Sequence, residues 1–304
     1  MSSEPGAVAL PPLSAVVRPS PSELARALRL LTRRKVAVVG LILTLLVALV
    51  GALAPLIASD PQRIDVVARL AAPAERHWFG TDDLGRDVFS RVVFGARLSL
   101  GVGAAVVVFA FVVGLLSGLV AGFYQGLDNA IMRVMDGLMA FPAIVLAVAL
   151  MAALGPSVLN VILAIGVVYA PRVARVVRGS VLVVREMTYV EAARALGASD
   201  RVLVLRHVLP NCLSPVIVQG SFIFAAAVLT EAALSFLGVG VPPYVPSWGN
   251  ILAEGRLYLQ QAPWLVIYPG LAIMATIFGL NLLGDAVRDV LDPKVRALSL
   301  EKPS

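Results

Sequence analysis

The sequence predicts an all-α membrane protein, a bundle of six transmembrane helices with both termini on the cytoplasmic side. The first observation is composition: 59% of the 304 residues are hydrophobic and 14% are charged, with a mean hydropathy of +0.89. Soluble domains carry about 25% charged residues, so much of this surface must face lipid. The second is six long apolar segments, and the third is the distribution of Lys and Arg between them.

A helix needs about 20 apolar residues to cross about 30 Å of hydrocarbon. The segments that qualify are residues 36–57, 98–122, 132–154, 157–177, 213–237 and 264–284. Backbone groups cannot remain unpaired in lipid, and the sequence lacks the ten-residue alternating pattern of a membrane barrel. A helical bundle is therefore predicted.

We predict four regions along the chain. Residues 1–35 form a cytoplasmic arm, partly disordered because its start is rich in Pro, Ser and Ala. Residues 36–97 hold the first transmembrane helix, with an extracytoplasmic loop after it. Residues 98–284 form a five-helix core with a cytoplasmic loop at residues 179–212, and residues 285–304 form a cytoplasmic tail.

The first apolar run follows Arg33, Arg34 and Lys35, as in a signal peptide. At residues 36–57 it is longer than the usual apolar region of about 7–15 residues, and no small-residue cleavage site follows it. We therefore interpret it as a retained signal-anchor helix.

The basic residues predict the orientation. With the N-terminus inside, 18 of the 25 Lys and Arg lie on the cytoplasmic side and seven on the other. Cytoplasmic loops are enriched in Lys and Arg, so this distribution places both termini inside. The loop at residues 58–97 holds six of the seven exceptions. Acidic residues offset them there: Asp60, Asp65, Glu75, Asp82, Asp83 and Asp87.

Several other classes of protein and site are excluded. The single cysteine, Cys212, cannot form an internal disulfide. The net charge of +6 comes from basic residues beside apolar runs, which indicates a membrane protein and no nucleic-acid partner. The sequence contains no phosphate-binding lysine motif, nucleophile elbow or HExxH zinc motif. We therefore predict no catalytic residues, and no hydrolysis of ATP by this chain alone.

No metal site is predicted either. The only histidines, His77 and His207, lie on opposite sides of the predicted membrane. Residues 80–87 resemble a calcium loop but lack its twelve-residue spacing and terminal Glu. We expect instead an amphipathic turn at the membrane surface, with Asp82 or Asp83 as its N-cap.

Two carboxylates and one glycine stripe fall within the predicted spans. Glu231 is either functional or interfacial, facing water or pairing with Arg256, because a carboxylate is costly at membrane depth. Asp136 is predicted to pair with Arg133, one turn earlier on the same helix. The glycines at positions 114, 118 and 122 share one helix face and predict close helix packing.

The most informative segment is residues 185–215, which is too polar for lipid. Its first part is strongly helical from Glu186 to Leu196, and Gly197 is a natural helix terminator. Val190, Ala193 and Leu196 recur near one face of this helix. After the glycine turn we expect a second amphipathic stretch, and then Leu209-Pro210 re-entering the membrane. A short helix with an apolar face and a charged flank suits docking into a groove of a partner.

This segment resembles the EAA loop of bacterial ATP-binding cassette importer permeases. Glu191-Ala192-Ala193, then Gly197, then Leu209-Pro210 match that motif. The general pattern has an apolar residue where this chain has His207, and the form RHVLPN looks like the dipeptide/oligopeptide/nickel branch. The residues to which the resemblance assigns docking on the ATPase are Glu191, Ala192, Ala193, Arg194, Leu196, Gly197, Ala198, Leu209 and Pro210.

Further segments extend the resemblance over residues 36–296 and are similar to the C-type subunit of these importers. They are residues 77–100, 135–147, 230–243, 246–256 and 282–293. The resemblance implies a homologous B-type permease as heterodimer partner, two ATPase subunits that hold ATP and magnesium, and an extracytoplasmic solute-binding protein. It also implies a location in the bacterial inner membrane and no cofactor in this chain.

The third and fifth helices are candidates for the translocation path. The residues proposed to line it are Phe141, Pro142, Glu231, Ser235 and Phe236. Pro142 is also compatible with a purely structural kink.

Two rival functions and the identity of the substrate stay open. An ion-coupled secondary transporter or channel acting alone predicts mid-membrane carboxylates and inverted repeats, whereas residues 138–154 and 257–284 carry no charge and no repeat is evident. A membrane anchor or assembly factor leaves the EAA loop unexplained. Dipeptides or oligopeptides are the expected solutes, with nickel chelates, glutathione and other small solutes as alternatives. The role of the 58–97 loop, and whether the ATPase subunits are identical, are also open.

Overall fold

A computed structural model describes residues 35–291 of the chain. The arm predicted for residues 1–35 lies almost entirely outside that range, as do residues 292–304 of the predicted tail. Within residues 35–291 the secondary structure is helical, with two isolated bridges, Ala74 to His77 and Thr81 to Asp87, and no strand. The predicted all-α class is confirmed.

The described part of the chain forms ten α-helical segments. They are α1 (Lys35–Ala52), α2 (Ala54–Ile57), α3 (Val88–Phe123), α4 (Gln125–Met139), α5 (Ala143–Leu154), α6 (Val158–Val184), α7 (Thr188–Ala195), α8 (Asp200–Phe236), α9 (Trp248–Gly255) and α10 (Trp264–Leu291). Short 3-10 turns occur at Val66–Ala68 and Arg256–Tyr258.

Five helices, α1, α3, α6, α8 and α10, are long and apolar enough to cross a membrane. The pair α4 and α5 passes the same test together and makes a sixth span if it is counted as one. The continuous span predicted for residues 132–154 is wrong, because the two helices meet at an angle of 94°. Pro142 explains the break: it has no N–H to donate, and it disfavours helical geometry at Phe141 before it.

Helices α3, α6, α8 and α10 extend beyond their predicted limits, whereas α1 ends at Ala52, five residues before its predicted limit. Helix α3 begins at Val88, ten residues before the predicted limit, and its N-cap is Asp87, whose carboxylate accepts a hydrogen bond from the Ser90 amide at 2.8 Å. Asp82 caps the turn before the helix, as predicted, because its carboxylate accepts from the amides of Leu84 and Arg86, each at 2.9 Å. The apolar runs stop at charged residues, but the helices continue through them because those residues find partners.

Helices α3 and α6 pack closely along the predicted glycine stripe. A Cβ atom at Gly114 would lie 2.5 Å from Val173 Cβ, and one at Gly118 would lie 2.5 Å from the carbonyl oxygen of Ala174. At Gly122 it would lie 2.7 Å from Val181 Cβ. The stripe allows the two backbones to approach, as expected for small residues in membrane helices.

The bundle has two ends that carry different structures. Helix α7 lies at one end, together with Lys35 and the last residues of α10, and we call this the α7 end. The loop of residues 58–87 and helix α9 lie at the other, which we call the α9 end. The main core joins α3, α5, α6 and α8, and a smaller core at the α9 end surrounds Trp248.

Candidate functional site

Helix α7 is a short projecting helix that ends at a glycine. Gly197 has φ +85°, in the left-handed region that favours glycine. Its amide donates to the carbonyl of Arg194 at 3.0 Å, and the amide of Ala198 donates to that of Ala193 at 3.1 Å. The helix therefore terminates at the predicted position and the chain turns back toward the bundle.

One face of α7 is anchored and the other is free. Val190 is fully buried in the main core with Leu203. In contrast, Glu191, Ala192 and Arg194 are exposed. The exposed residues also include Leu196, of which 89% is accessible, together with Met187, Tyr189 and Gly197. The Arg194 guanidinium lies 5.8 Å from the Phe123 ring centroid, which ties the helix to the end of α3. Helix α7 is therefore anchored to the bundle through one face and presents apolar and charged side chains on the other.

A π-helical turn at Leu203–Val208 follows α7 along the chain, and it continues directly into the rest of α8. The sequence predicts a separate amphipathic stretch here, with Leu209 and Pro210 re-entering the membrane, whereas Leu209 and Pro210 lie inside continuous α8. Pro210 cannot donate to the carbonyl four residues before it, which favours the wider turn. The Asn211 side chain donates to the His207 carbonyl at 2.7 Å and satisfies one of the carbonyls in this turn.

Glu231 lies near the α9 end with no exposed surface, and Arg256 lies over the ring of Phe236 and does not pair with Glu231. Its carboxyl accepts hydrogen bonds from the hydroxyls of Ser99 on α3, at 2.7 Å, and Ser235 on its own helix, at 2.9 Å. The hydroxyl of Ser247, the N-cap of α9, is the third beside it. This carboxyl therefore joins three helices.

Helix α9 is fixed to the bundle at its other end by ion pairs. Glu254 pairs with Arg86 at 2.9 Å and with Arg91, whose Nη2 atom lies 3.0 Å from the second carboxylate oxygen. Buried Arg91 also pairs with Asp82, which has no exposed surface. The carboxylates of Asp82, Asp83 and Glu254 lie within 4.8 Å of one another, but the two guanidinium groups lie among them, so the cluster is an ion-pair network.

The remaining predicted path residues are divided between two places. Phe141, 58% exposed, and Pro142 lie at the break between α4 and α5. Phe236 lies against Arg256, whose guanidinium is 5.3 Å from the ring centroid, while Ser235 belongs to the Glu231 cluster.

The pairing predicted for Asp136 was wrong. Asp136 pairs with Arg175 of α6 at 2.7 Å, and not with Arg133 of its own helix. Asp128 makes two bonds to Arg178, at 2.5 and 2.6 Å. Both ion pairs join α4 to α6, and they hold α4 against the bundle.

Sequence reasoning missed Ser99, Ser247, Arg91 and Glu254. Ser99 and Ser247 are ordinary polar residues until the fold places them beside Glu231. The one available signal was that Ser247 precedes Trp248 as a helix N-cap, with its hydroxyl accepting from the Asn250 amide at 3.1 Å.

Comparison with known proteins assigns this chain to a family. A family profile described as "Binding-protein-dependent transport system inner membrane component" matches residues 92–297. A second, described as "N-terminal TM domain of oligopeptide transport permease C", matches residues 22–73. Together they cover α1 and all the later spans.

Individual relatives agree with the profiles. The dipeptide transport system permease protein DppC of Alkalihalophilus pseudofirmus is 44% identical over 273 residues, 89% of this chain and 90% of that protein. The glutathione transport system permease protein GsiD of Pectobacterium atrosepticum is 42% identical over 268 residues, 87% and 89% of the two chains.

The solved structures support the fold. An inward-facing structure of the MetNI methionine ABC transporter superposes with a TM-score of 0.55 and 21% identity, covering 66% of this chain and 96% of that one. The resemblance inferred from the EAA motif is therefore confirmed at the level of the family. The chain belongs to the binding-protein-dependent transport system inner membrane components, as a non-catalytic, multi-pass permease subunit of an ATP-binding cassette importer.

Proposed function

We propose that this chain is the C-type permease of an importer of dipeptides or oligopeptides, and that α7 is its coupling helix. The observation that carries the proposal is the two-sided character of α7. Val190 is buried in the main core, whereas Leu196 is 89% exposed beside exposed Glu191. A helix held on one face and open on the other can transmit a force from a partner to the bundle.

The proposed docking surface comprises Glu191, Ala192, Ala193, Arg194, Leu196, Gly197 and Ala198, with Leu209 and Pro210 behind it at the start of the membrane part of α8. An amphipathic helix inserted into a groove of the partner is a recurrent recognition mode. Leu196 supplies an apolar anchor, and Glu191 and Arg194 supply opposite charges at its flank.

The partners follow from the family. We propose a heterodimer with a homologous B-type permease, two ATPase subunits that bind ATP and magnesium, and an extracytoplasmic solute-binding protein. The α7 end would face the cytoplasm, with both termini inside, in a bacterial inner membrane. The 18-to-7 distribution of Lys and Arg supports this orientation.

Coupling would proceed through rigid contacts. ATP binding closes the ATPase dimer and displaces α7, whose anchor Val190 packs with Leu203 in the turn that leads into α8. Helix α8 carries Glu231, which is bonded to α3 and adjacent to the α9 cap. Motion at the α7 end would therefore reach the α9 end as a rigid-body change between inward- and outward-facing states.

Charge reversal at α7 tests the docking surface. In mild detergent, the ATPase subunits should copurify with the wild-type chain, and they should no longer copurify with the Glu191→Lys variant. The matched control is Glu75→Lys, which reverses an exposed Glu of the opposite loop and should leave the complex intact. Retention of stoichiometric ATPase by Glu191→Lys would contradict docking through α7.

A second pair of variants tests the turn itself. Gly197→Asp should release the ATPase because φ +85° is unfavourable for most side chains and a new charge enters the surface. Gly197→Asn adopts the left-handed region more readily and adds no charge, so it should retain the ATPase. If both variants retained the ATPase subunits at the wild-type level, this turn would not form the interface.

The substrate class is tested by transport. Proteoliposomes that contain the full complex should accumulate labelled tri-alanine only with ATP and the binding protein present. Uptake of glutathione or a nickel chelate in place of tri-alanine would assign another solute class. Transport by this chain alone would favour the ion-coupled alternative.

A further inference from the structure

Helix α6 carries three arginines at a spacing of three residues, Arg172, Arg175 and Arg178. Residues three apart lie on neighbouring positions of one helix face. Arg178 is bonded to Asp128 and Arg175 to Asp136, both on α4. The stripe is therefore the surface of α6 that α4 crosses.

Arg172 differs from its two neighbours. It is exposed, and among residues 35–291 no carboxylate forms an ion pair with it. Its guanidinium carbon lies 5.0 Å from the centroid of the Tyr169 ring. Tyr169 is itself fixed, because its hydroxyl lies 3.0 Å from the Thr230 hydroxyl on α8. The cation is held in position by an aromatic ring and left without a counter-ion.

Arg172 lies inside the span, in its proposed cytoplasmic half, about two-thirds of the way across about 30 Å of hydrocarbon. Helix α6 has 27 residues, and Arg172 follows its first residue, Val158, by about 21 Å at 1.5 Å per residue. A charge at this depth rarely faces lipid, and charged residues inside membranes face cavities or partner groups. An exposed, unpaired cation here indicates a water-filled space or an anionic ligand.

The break in the third span lies on the same side of α6. Helix α4 meets α6 at Arg178 and then at Arg175, and from Asp136 it leads to the break at residues 140–142. Arg172 is the next residue of the stripe, one turn beyond Arg175. Irregular backbone at membrane depth is tolerated where it lines a cavity, so the break and Arg172 point to one aqueous space.

We propose that Arg172 binds the carboxylate of the transported peptide inside the translocation path. The guanidinium group matches a carboxylate through two parallel N–H···O bonds, and every unmodified peptide carries a C-terminal carboxylate. Within residues 35–291 no carboxylate pairs with Arg172, which leaves that position open to the solute. This inference rests on the proposed peptide-import function and adds a specificity-determining residue to it.

Charge exchange at one position tests the proposal in the complete complex. Arg172→Met should reduce tri-alanine uptake into proteoliposomes by about tenfold or more. Arg172→Lys keeps the charge but loses the two parallel bonds, so its uptake should fall between those of the wild type and Arg172→Met. Arg76→Met is the matched control, because Arg76 is an exposed arginine in the loop of residues 58–87, outside the spans, and it should transport normally.

Chemical modification separates charge from structure. Arg172→Cys treated with 2-aminoethyl methanethiosulfonate regains a cation, and treated with the 2-sulfonatoethyl reagent it gains an anion of similar size. The native Cys212 has no exposed surface and should not react. We expect uptake to recover with the amine adduct and to stay low with the sulfonate adduct.

The contrary outcomes are distinct. Wild-type uptake by Arg172→Met, equal uptake by the two adducts, or failure of both reagents to reach the cysteine would overturn the role of Arg172 and leave peptide import standing. Absence of peptide uptake by the wild-type complex would instead refute the proposed function, and this inference with it.

Discussion

Replacement of Glu231 should reveal how much its buried carboxyl stabilises the contact between α3 and α8, beside the cap of α9. The carboxyl accepts bonds from Ser99 at 2.7 Å and Ser235 at 2.9 Å, and none of its surface is exposed. Removing the shared acceptor of a buried hydrogen bond costs about 1–3 kcal/mol per stranded donor. Each hydroxyl can recover part of that by donating to a carbonyl of its own helix. We therefore expect Glu231→Leu to lose about 2–4 kcal/mol.

The isosteric variant Glu231→Gln provides the comparison. Its amide keeps an acceptor oxygen, and a serine hydroxyl can rotate to accept from its NH₂ group, so the loss should be about 1 kcal/mol or less. The assay is the temperature of aggregation of the purified complex in detergent, read as a shift because unfolding is irreversible. About 2–4 °C per kcal/mol gives a shift of roughly 5–15 °C for the Leu variant. Equal midpoints for Leu and wild type would show that the carboxyl does not hold these helices together.

Two further predictions concern packing and charge. Gly118→Ala should weaken the α3–α6 contact by about 1–3 kcal/mol, because its Cβ atom would lie 2.5 Å from the Ala174 carbonyl oxygen. The control is Gly101→Ala on the same helix, whose Cβ atom would meet nothing within 4 Å. This control should be neutral or stabilising in the same thermal assay. Arg91→Met should cost about 3–5 kcal/mol, because it leaves buried Asp82 and half-buried Glu254 without this partner. The loss should shrink when Glu254→Gln is added, and a double-mutant cycle measures that coupling.

The transmembrane core could be predicted because the apolar runs report directly on the solvent that a helix meets. The same logic misplaced the ends of the helices. Arg91 was assigned to the outside loop, yet it lies in the first turn of α3, where Asp82 and Glu254 neutralise it. Hydropathy records the cost of a charge in lipid but not the partners that remove that cost.

The change in helix direction at Pro142 and the long-range hydrogen bonds could not be predicted from the sequence either. The run at residues 132–154 is apolar enough for one span, and hydropathy does not register that the chain turns by 94° at Pro142. The bond between Ser99 and Glu231 joins residues 132 apart in the chain, so no local pattern contains it. Gly197, in contrast, was predictable because a glycine at a helix end acts through the local backbone alone.

Labelling of a cysteine at position 199 tests most directly whether the α7 end faces the cytoplasm and the ATPase. Ser199 is exposed beside α7, and the native Cys212 is buried. In intact cells a membrane-impermeant maleimide should leave Ser199→Cys unlabelled and label Glu75→Cys in the opposite loop, and after lysis both should react. Labelling of Ser199→Cys from outside intact cells would place the helix on the wrong side of the membrane and contradict its role as the coupling element.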